Sequence, residues 1–337
     1  MPDAAPAIRL TRRQALFALA ATLASPAALV RPAAAAPAPL DSLTLFGPPA
    51  GPSILLAQLA RTEALAEFTR ELGFKVWRSP DEMRAGLSSG TMGAVVLPVQ
   101  VAANLYNRGM KLRLLNVMTE GLLYVISADA SIHGFPDLRG RSLAVPFRND
   151  MPDLVLQRLL AHHQMQPGKD LTVQSTGSPV EAMQMLMLGR VDAALIAEPA
   201  GTAAAIQGRL MGKDIVRVID IQAEWGRATG AAPILPQAGL AITEALLQAQ
   251  PGLAPALQAA LERAARDCSA DPDAAAARAA PFLDFPAPVL AASIPVSRLV
   301  ATPARAARAS IEAMLEALAQ EDPAIIGGQL PDTDFYL

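Results

Sequence analysis

Cysteine and histidine are almost missing from this chain, with one and three in 337 residues. One cysteine excludes an internal disulfide and any cysteine-built zinc or iron–sulfur centre. Three histidines leave little for a metal site or a histidine-driven hydrolase, and no cofactor is expected. Aromatic residues are only 4% of the chain, too few for an extensive aromatic cage. Positive charge is not in excess either: the net charge is −3 and the pI about 5.7, which gives no electrostatic footprint for nucleic acid. What is present is a chain 52% hydrophobic and 18% charged, with 29 prolines. That balance excludes a disordered protein, and the length predicts about two compact units. The composition points to binding rather than catalysis.

Arg9, Arg12 and Arg13 precede an apolar run from Ala15 to Val30, shorter than the roughly 20 strongly apolar residues of a membrane span. Residues 1–35 read as an export signal. Thr11 to Leu16 is similar to a twin-arginine signal, with Ala15 where that pattern prefers phenylalanine; the general secretory route is the alternative. Ala33-Ala34-Ala35 fits the small-residue cleavage rule. Cleavage there removes four arginines and Asp3 and takes the net charge from −3 to −6. The mature protein is expected in the periplasm, not embedded in the membrane and, with no cysteine after the signal, without a lipid anchor.

From Leu43 onward short apolar strands alternate with amphipathic helices, predicting an α/β architecture. Leu43 to Phe46 reads as a strand, Gly47 to Ser53 as a loop and the residues through Leu72 as a helix. Phe74 to Trp77 and Ala94 to Leu97 read as further strands. Ser79-Pro80-Asp81-Glu82 opens a helix with a capping box. A second stretch uses the same grammar: Ser142 to Val145 and Leu171 to Gln174 as strands, Asp150 to His163 as a helix, and Ser178-Pro179-Val180-Glu181 opening another. Both stretches run Ser-Pro, helix, glycine, strand, proline, the first to Pro98 and the second to Pro199. Two similar lobes account for this; so does the resemblance of any two capped helix–strand units. Helices are expected at Glu244 to Gln250, Leu253 to Cys268 and Thr302 to Gln320, with Pro281 to Pro295 a connection.

Four segments carry a family resemblance: Asp137 through Arg141-Ser142 to Pro146; Gly189-Arg190-Val191-Asp192-Ala193-Ala194; Glu198-Pro199; and Ile326-Gly327-Gly328-Gln329-Leu330-Pro331-Asp332 through Phe335-Tyr336. With the export signal, they resemble the periplasmic solute-binding proteins of ABC importers, in the nitrate, sulfonate and taurine-type branch that also includes pyrimidine-precursor binders. The resemblance implies a type II periplasmic-binding fold, with two α/β lobes and a ligand cleft between them. Residues 41–124 and 227–337 would form lobe I and 125–226 lobe II, with crossings near Tyr124 to Ser127 and Gln222 to Arg227. The implied partners are a small-molecule ligand and an ABC permease with its ATPase, and the protein is expected to be monomeric.

Ligands of open α/β sheets bind beyond the carboxyl ends of strands, where helix N-termini present unpaired N–H groups. That rule selects Gly47, Pro48, Pro49 and Ser53 in the first loop, where proline and glycine make a stiff backbone that can approach a ligand closely. It also selects Pro98 and Gln100, the latter able to donate and accept, and Thr119 with Glu120. In the second stretch it selects Phe147, Arg148, Asn149 and Thr176. Arg148 can clamp an oxyanion, whereas Asp150, as an N-cap, places negative charge where an anion would sit, favouring a zwitterion or neutral heterocycle. Glu198 reads as a carboxylate for an amine or ring N–H, or as half of a salt bridge. Trp225 reads as a stacking surface or as hinge packing. His162-His163 reads as a solvated pair, Cys268 as an inert buried thiol and Met183, Met185 and Met187 as core.

The function expected is an extracytoplasmic receptor that closes on a small polar organic molecule for import. The alternatives are a ligand-presenting sensor and an enzyme on the same scaffold. Enzymes of that kind make a thiamine pyrimidine precursor or act in menaquinone synthesis; the cysteine-rich motif of the former is absent here.

Overall fold

The structure, a computed structural model, describes residues 37–60 and 62–337. The arginine pair and the expected cleavage position lie outside the described residues. Among the described residues twelve strands form two sheets. The first sheet contains β1 (Leu43–Gly47), β2 (Leu72–Val76), β3 (Ala94–Pro98), β4 (Leu112–Leu114) and β5 (Asn116–Thr119), joined by two strands from late in the chain. The second contains β6 (Leu123–Ser127), β7 (Ser142–Pro146), β8 (Thr172–Thr176), β9 (Ala193–Ala197) and β10 (Val216–Asp220). The chain then returns to the first sheet as β11 (Ala238–Thr243) and β12 (Leu299–Pro303).

The two sheets repeat one strand order. β1 lies between β2 and β3, parallel to both, and β11 pairs antiparallel on the outside of β3. β7 lies between β8 and β9 in the same way, with β6 antiparallel outside β9. The two capped helices occupy matching places. In Pro80–Ser89, Ser79 Oγ accepts from Glu82 N at 3.2 Å and Arg78 N donates to the Glu82 carboxylate at 2.7 Å. In Pro179–Met187, Ser178 Oγ accepts from Glu181 N at 3.1 Å and Gly177 N donates to Glu181 at 2.6 Å. Each box satisfies helix-start N–H groups that would otherwise lack partners.

Two of the recognised segments lie on neighbouring parallel strands and are tied together. Ser142 N and Oγ both donate to Asp192 Oδ2, each at 2.7 Å, and these bonds hold the Asp192 carboxyl below the usual carboxylate range. The C-terminal segment is held by the helix Val99–Asn107: Asn107 Nδ2 donates to the Ile326 and Gln329 carbonyls. Gly327 has φ +82°, and a Cβ there would lie 2.8 Å from Asn107 Cβ.

Several expectations need correction. The first helix is Pro52–Leu59, not a helix through Leu72; Thr62 Oγ1 takes the Leu59 carbonyl and the chain continues in turns. Leu299–Pro303 is a strand and the last long helix starts at Arg308, not Thr302. The connection Pro281 to Pro295 contains a helix, Ala287–Ser293. Met183, Met187 and Cys268 are core residues, and burial pushes the Cys268 thiol up to about 12. His163 is not simply solvated: it stacks on Phe135 at 4.9 Å and lies 3.3 Å from Glu224. Among the described residues no helix is long and apolar enough to cross a membrane.

The chain first passes between sheets at Glu120-Gly121-Leu122, so Tyr124 to Ser127 are strand rather than crossing. It returns through the helix Ile221–Thr229, which contains Gln222 to Arg227, and a loop to Ala238. Arg298 braces both passages. Its guanidinium reaches Asp220 Oδ2 at 2.6 Å and the Pro233 carbonyl at 2.9 Å, and its own carbonyl accepts from Glu120 N at 3.0 Å. The first passage requires glycine: Gly121 has φ +140°, and a Cβ would lie 1.8 Å from Gln222 Cγ, whose Oε1 accepts from Leu123 N. Gly121→Ala is therefore expected to lower unfolding free energy by about 2 kcal/mol in urea titration; an unchanged midpoint would show that the crossing tolerates another backbone.

Candidate functional site

A cavity of about 90 Å³ lies between the two sheets. Its walls are the places the strand-end rule selects. From the first sheet's side come Pro48 and Ala50 after β1, Trp77 after β2, Leu97 and Pro98 at the end of β3, and Gln237 and Ala238 at the start of β11. From the second come Leu122 and Leu123 beside the crossing, Phe147 after β7 and Ala197 at the end of β9. Helix starts close it at Pro52, Pro80, and Asp150 with Met151 and Pro152. Of the sixteen lining residues five are prolines, so much of the wall has fixed φ and lacks backbone N–H groups. Among the described residues, Asp150 is the only charged one that lines the cavity, and Gln237 the only other with a strongly polar side chain.

Asp150 dominates the polar structure. It is 4% exposed and caps the helix Met151–His162, with Oδ1 accepting from Met151 N at 2.8 Å. Two residues from the first sheet's side grip the same carboxylate. Arg84, on the helix Pro80–Ser89, donates from Nη2 to Oδ2 at 2.9 Å, and Gln100 donates from Nε2 to Oδ1 at 3.0 Å. A second tie across the cavity is backbone only, from Gly51 N to the Glu198 carbonyl at 3.0 Å. The sheets are thus drawn together over the cavity.

The structure brings some of the expected residues to the cavity. Pro48, Pro98 and Phe147 line it. Phe147 has φ +59°, a backbone state uncommon for a bulky residue and found where surrounding structure enforces it. Gln100 does not line it; its amide is committed to Asp150. Gly47 and Pro49 belong to the same loop without lining the cavity.

The other candidates are placed elsewhere, each for a local reason. Ser53 is fully buried and its hydroxyl donates to the Pro48 carbonyl. Thr119 is also fully buried, donating to the Ser297 carbonyl and accepting from Gly121 N. Glu120 meets Arg298 and Leu235 through its backbone at the crossing. Thr176 donates to the Ser178 carbonyl at 3.1 Å. Arg148 and Asn149 are exposed and line a separate depression of about 560 Å³ beside the helix Met151–His162. Trp225 is buried in the core on the helix Ile221–Thr229.

Glu198 shows the salt-bridge alternative. It is 1% exposed; Oε1 accepts from Arg217 Nε at 2.8 Å and Nη2 at 2.6 Å, and Oε2 from Thr202 N and Oγ1. With both oxygens engaged it has nothing left for a ligand. Trp77, Asp150 and Gln237 are the lining residues that matter most among those sequence reasoning did not select. Trp77 follows β2 directly, so the strand-end rule applied to that strand would have found it; its N–H donates to the Val96 carbonyl, leaving apolar surface for the cavity. Gln237 carries no sequence signal beyond its place before β11.

The sequence matches the NMT1-like family over residues 71–283. The chain belongs to that family. The matched span covers both sheets' parallel strands except β1, and with them most of the cavity wall. No curated protein matches the sequence. Among solved structures, an ABC transporter protein from Parabacteroides distasonis is similar at 20% identity and TM-score 0.74, covering 88% of this chain and 99% of that one. The periplasmic aliphatic sulphonate binding protein SsuA from Escherichia coli is similar at 16% identity and TM-score 0.64, covering 88% and 95%. The periplasmic nitrate-binding protein NrtA from Synechocystis is similar at 14% identity and TM-score 0.58, covering 75% and 69%. At these identities the likeness establishes the fold, that of two-lobed periplasmic binding proteins, for this member of the NMT1-like family.

Because Glu198 is buried and doubly bonded away from the cavity, Arg217→Met should act on stability alone. Removing one partner of a buried pair leaves the other charge uncompensated, and a loss of about 3 kcal/mol is expected in urea unfolding. A loss under about 0.5 kcal/mol, within the range of ordinary surface substitutions, would show that the pair does not hold the second sheet's edge.

Proposed function

We propose that this protein is an extracytoplasmic receptor that closes two lobes on a small molecule and delivers it to an ABC permease and its ATPase. Lobe I comprises residues 41–124 and 227–337, and lobe II residues 125–226. One observation carries the reading: a single cavity is walled by strand ends and helix starts of both sheets, and Arg84, Gln100 and Asp150 meet across it. A molecule held there touches both lobes at once. Such contacts exist only in the closed form, so they stabilise closure by their full free energy, as hinge-bending receptors require. Solved proteins of this fold described as binding aliphatic sulphonate or nitrate support the transport role. The N-terminal arginine pair and apolar run support export to the periplasm by the twin-arginine route, and the chain is read as a monomer.

The expected outcome of screening the mature protein against amides, amines, pyrimidines, amino acids and sulfonates is a rise in melting temperature for at least one class. At a ligand concentration one hundred times Kd the stabilisation is about 2.7 kcal/mol. Small-angle scattering of the same sample should show a smaller radius of gyration with ligand. Neither effect from any class would count against the receptor reading.

A further inference from the structure

We propose that Asp150 is a specificity-determining residue of the cleft, an internal carboxylate that takes the place of an oxyanion and bars ligands of that charge. The cleft then accepts a compact uncharged molecule with an apolar body and a hydrogen-bond donor. The proposal rests on the receptor reading and names its ligand class.

Three observations carry it. First, the donors that would recognise an oxyanion at this cleft are present but engaged. Arg84, Gln100 and the N–H of Met151 all point at the two oxygens of Asp150, at 2.8 to 3.0 Å. A guanidinium, an amide and a helix start make an anion site; here the anion is part of the chain. Second, among the described residues no charged side chain other than Asp150 lines the cavity, so none there receives a ligand's negative charge. An anionic ligand would meet a carboxylate that already holds these donors, in a nearly apolar wall that offers its charge no partner and so leaves its desolvation uncompensated. Third, the polar group left in the wall is an uncharged amide with a buried acceptor still unmet. Gln237 lines the cavity, is 6% exposed, and its Oε1 has no hydrogen-bond partner. Gln100 Oε1, on a residue 2% exposed that lies behind Asp150 and does not line the cavity, also lacks a partner. Its orientation follows from chemistry, since an ionised Asp150 can only accept and so draws the Nε2 side of the amide. Buried acceptors without partners are costly, and a ligand N–H or O–H aimed at Gln237 removes that cost.

Asp150 also acts as a partition. It lines the cleft cavity, while Arg84 and Gln100 line a groove of about 380 Å³ that does not include it. Shortening the side chain opens the cleft toward the guanidinium. The Asp150→Ser variant does this and keeps an N-cap hydroxyl, so the helix start retains its partner.

The test uses two probes of nearly equal shape, methanesulfonate and the uncharged, N–H-bearing methanesulfonamide, titrated by NMR into the mature protein at neutral pH. The wild type is expected to bind the sulfonamide at least tenfold more tightly than the sulfonate. Asp150→Ser is expected to tighten methanesulfonate at least tenfold relative to the wild type, and adding Arg84→Met should abolish that gain. Asp150→Asn, close in shape and also an N-cap, carries the same test should the serine variant fail to fold. Equal or tighter binding of methanesulfonate by the wild type overturns the proposal while leaving the receptor reading in place. No gain of methanesulfonate binding in a folded Asp150 variant overturns it as well. Failure of the receptor reading shows differently, as absence of ligand-induced compaction with every solute class, and does not alter the comparison between wild type and variant.

Discussion

One carboxylate gathers the side-chain hydrogen bonds that cross the cleft. Asp150 ends the loop after β7, starts the helix Met151–His162, and is held by Arg84 and Gln100 from the opposite side. Any displacement of one sheet against the other must stretch those bonds, and any disorder of the helix start must release them. The pairing is asymmetric in burial: Asp150 is buried, whereas the Arg84 side chain is 38% exposed. An ion pair open to water on one side can exchange its partner for solvent at modest cost, because screening leaves such pairs weak. It is therefore a contact that can break when the halves separate and re-form when they meet.

The repeated strand order gives this arrangement its geometry. Two sheets of the same order, β2-β1-β3-β11 and β8-β7-β9-β6, present the carboxyl ends of their parallel strands to one another. Helix starts gather there from both sides, and proline is tolerated at helix starts because the missing N–H has no helical partner to lose. Pro52, Pro80 and Pro152 all occupy such positions. Prolines that punctuate the secondary structure thereby become the stiff wall of the cavity, which loses little conformational freedom when a ligand is bound.

The parts of the fold set by local chemistry were legible in the sequence. Ser79 with Glu82 and Ser178 with Glu181 mark their helices because the hydrogen bonds involved span only three or four residues. Strand ends, and hence the loops at Pro48, Pro98 and Phe147, follow from hydrophobic runs closed by proline or glycine. What was left open or missed depended on contacts distant in sequence. Glu198 is an exposed-looking carboxylate after a strand until Arg217, nineteen residues later, reaches it. Trp225 sits near a crossing but packs into the core, and Thr302 begins an apparent helix because its pairing with Val117 on β5 has no local signature. Asp150 was legible as a cap and as a negative charge in an anion's place. That Arg84 and Gln100 quench it was not, since each lies at least fifty residues away.

The small cavity constrains how closure can be driven. The cavity, of about 90 Å³, suits a compact ligand, and a compact ligand can bury only a modest apolar area. Its differential interaction with the closed form is correspondingly limited. The protein's own contacts across the cleft, Asp150 with Arg84 and Gln100 and the backbone bond from Gly51 to Glu198, make up part of the difference. With those contacts the closed form needs less from the ligand, and a compact molecule suffices to shift the population. In the proposed receptor, a contact that favoured closure too strongly would hold the cleft shut and slow release. The half-exposed Arg84 avoids this, because water can replace Asp150 as its partner when the halves separate.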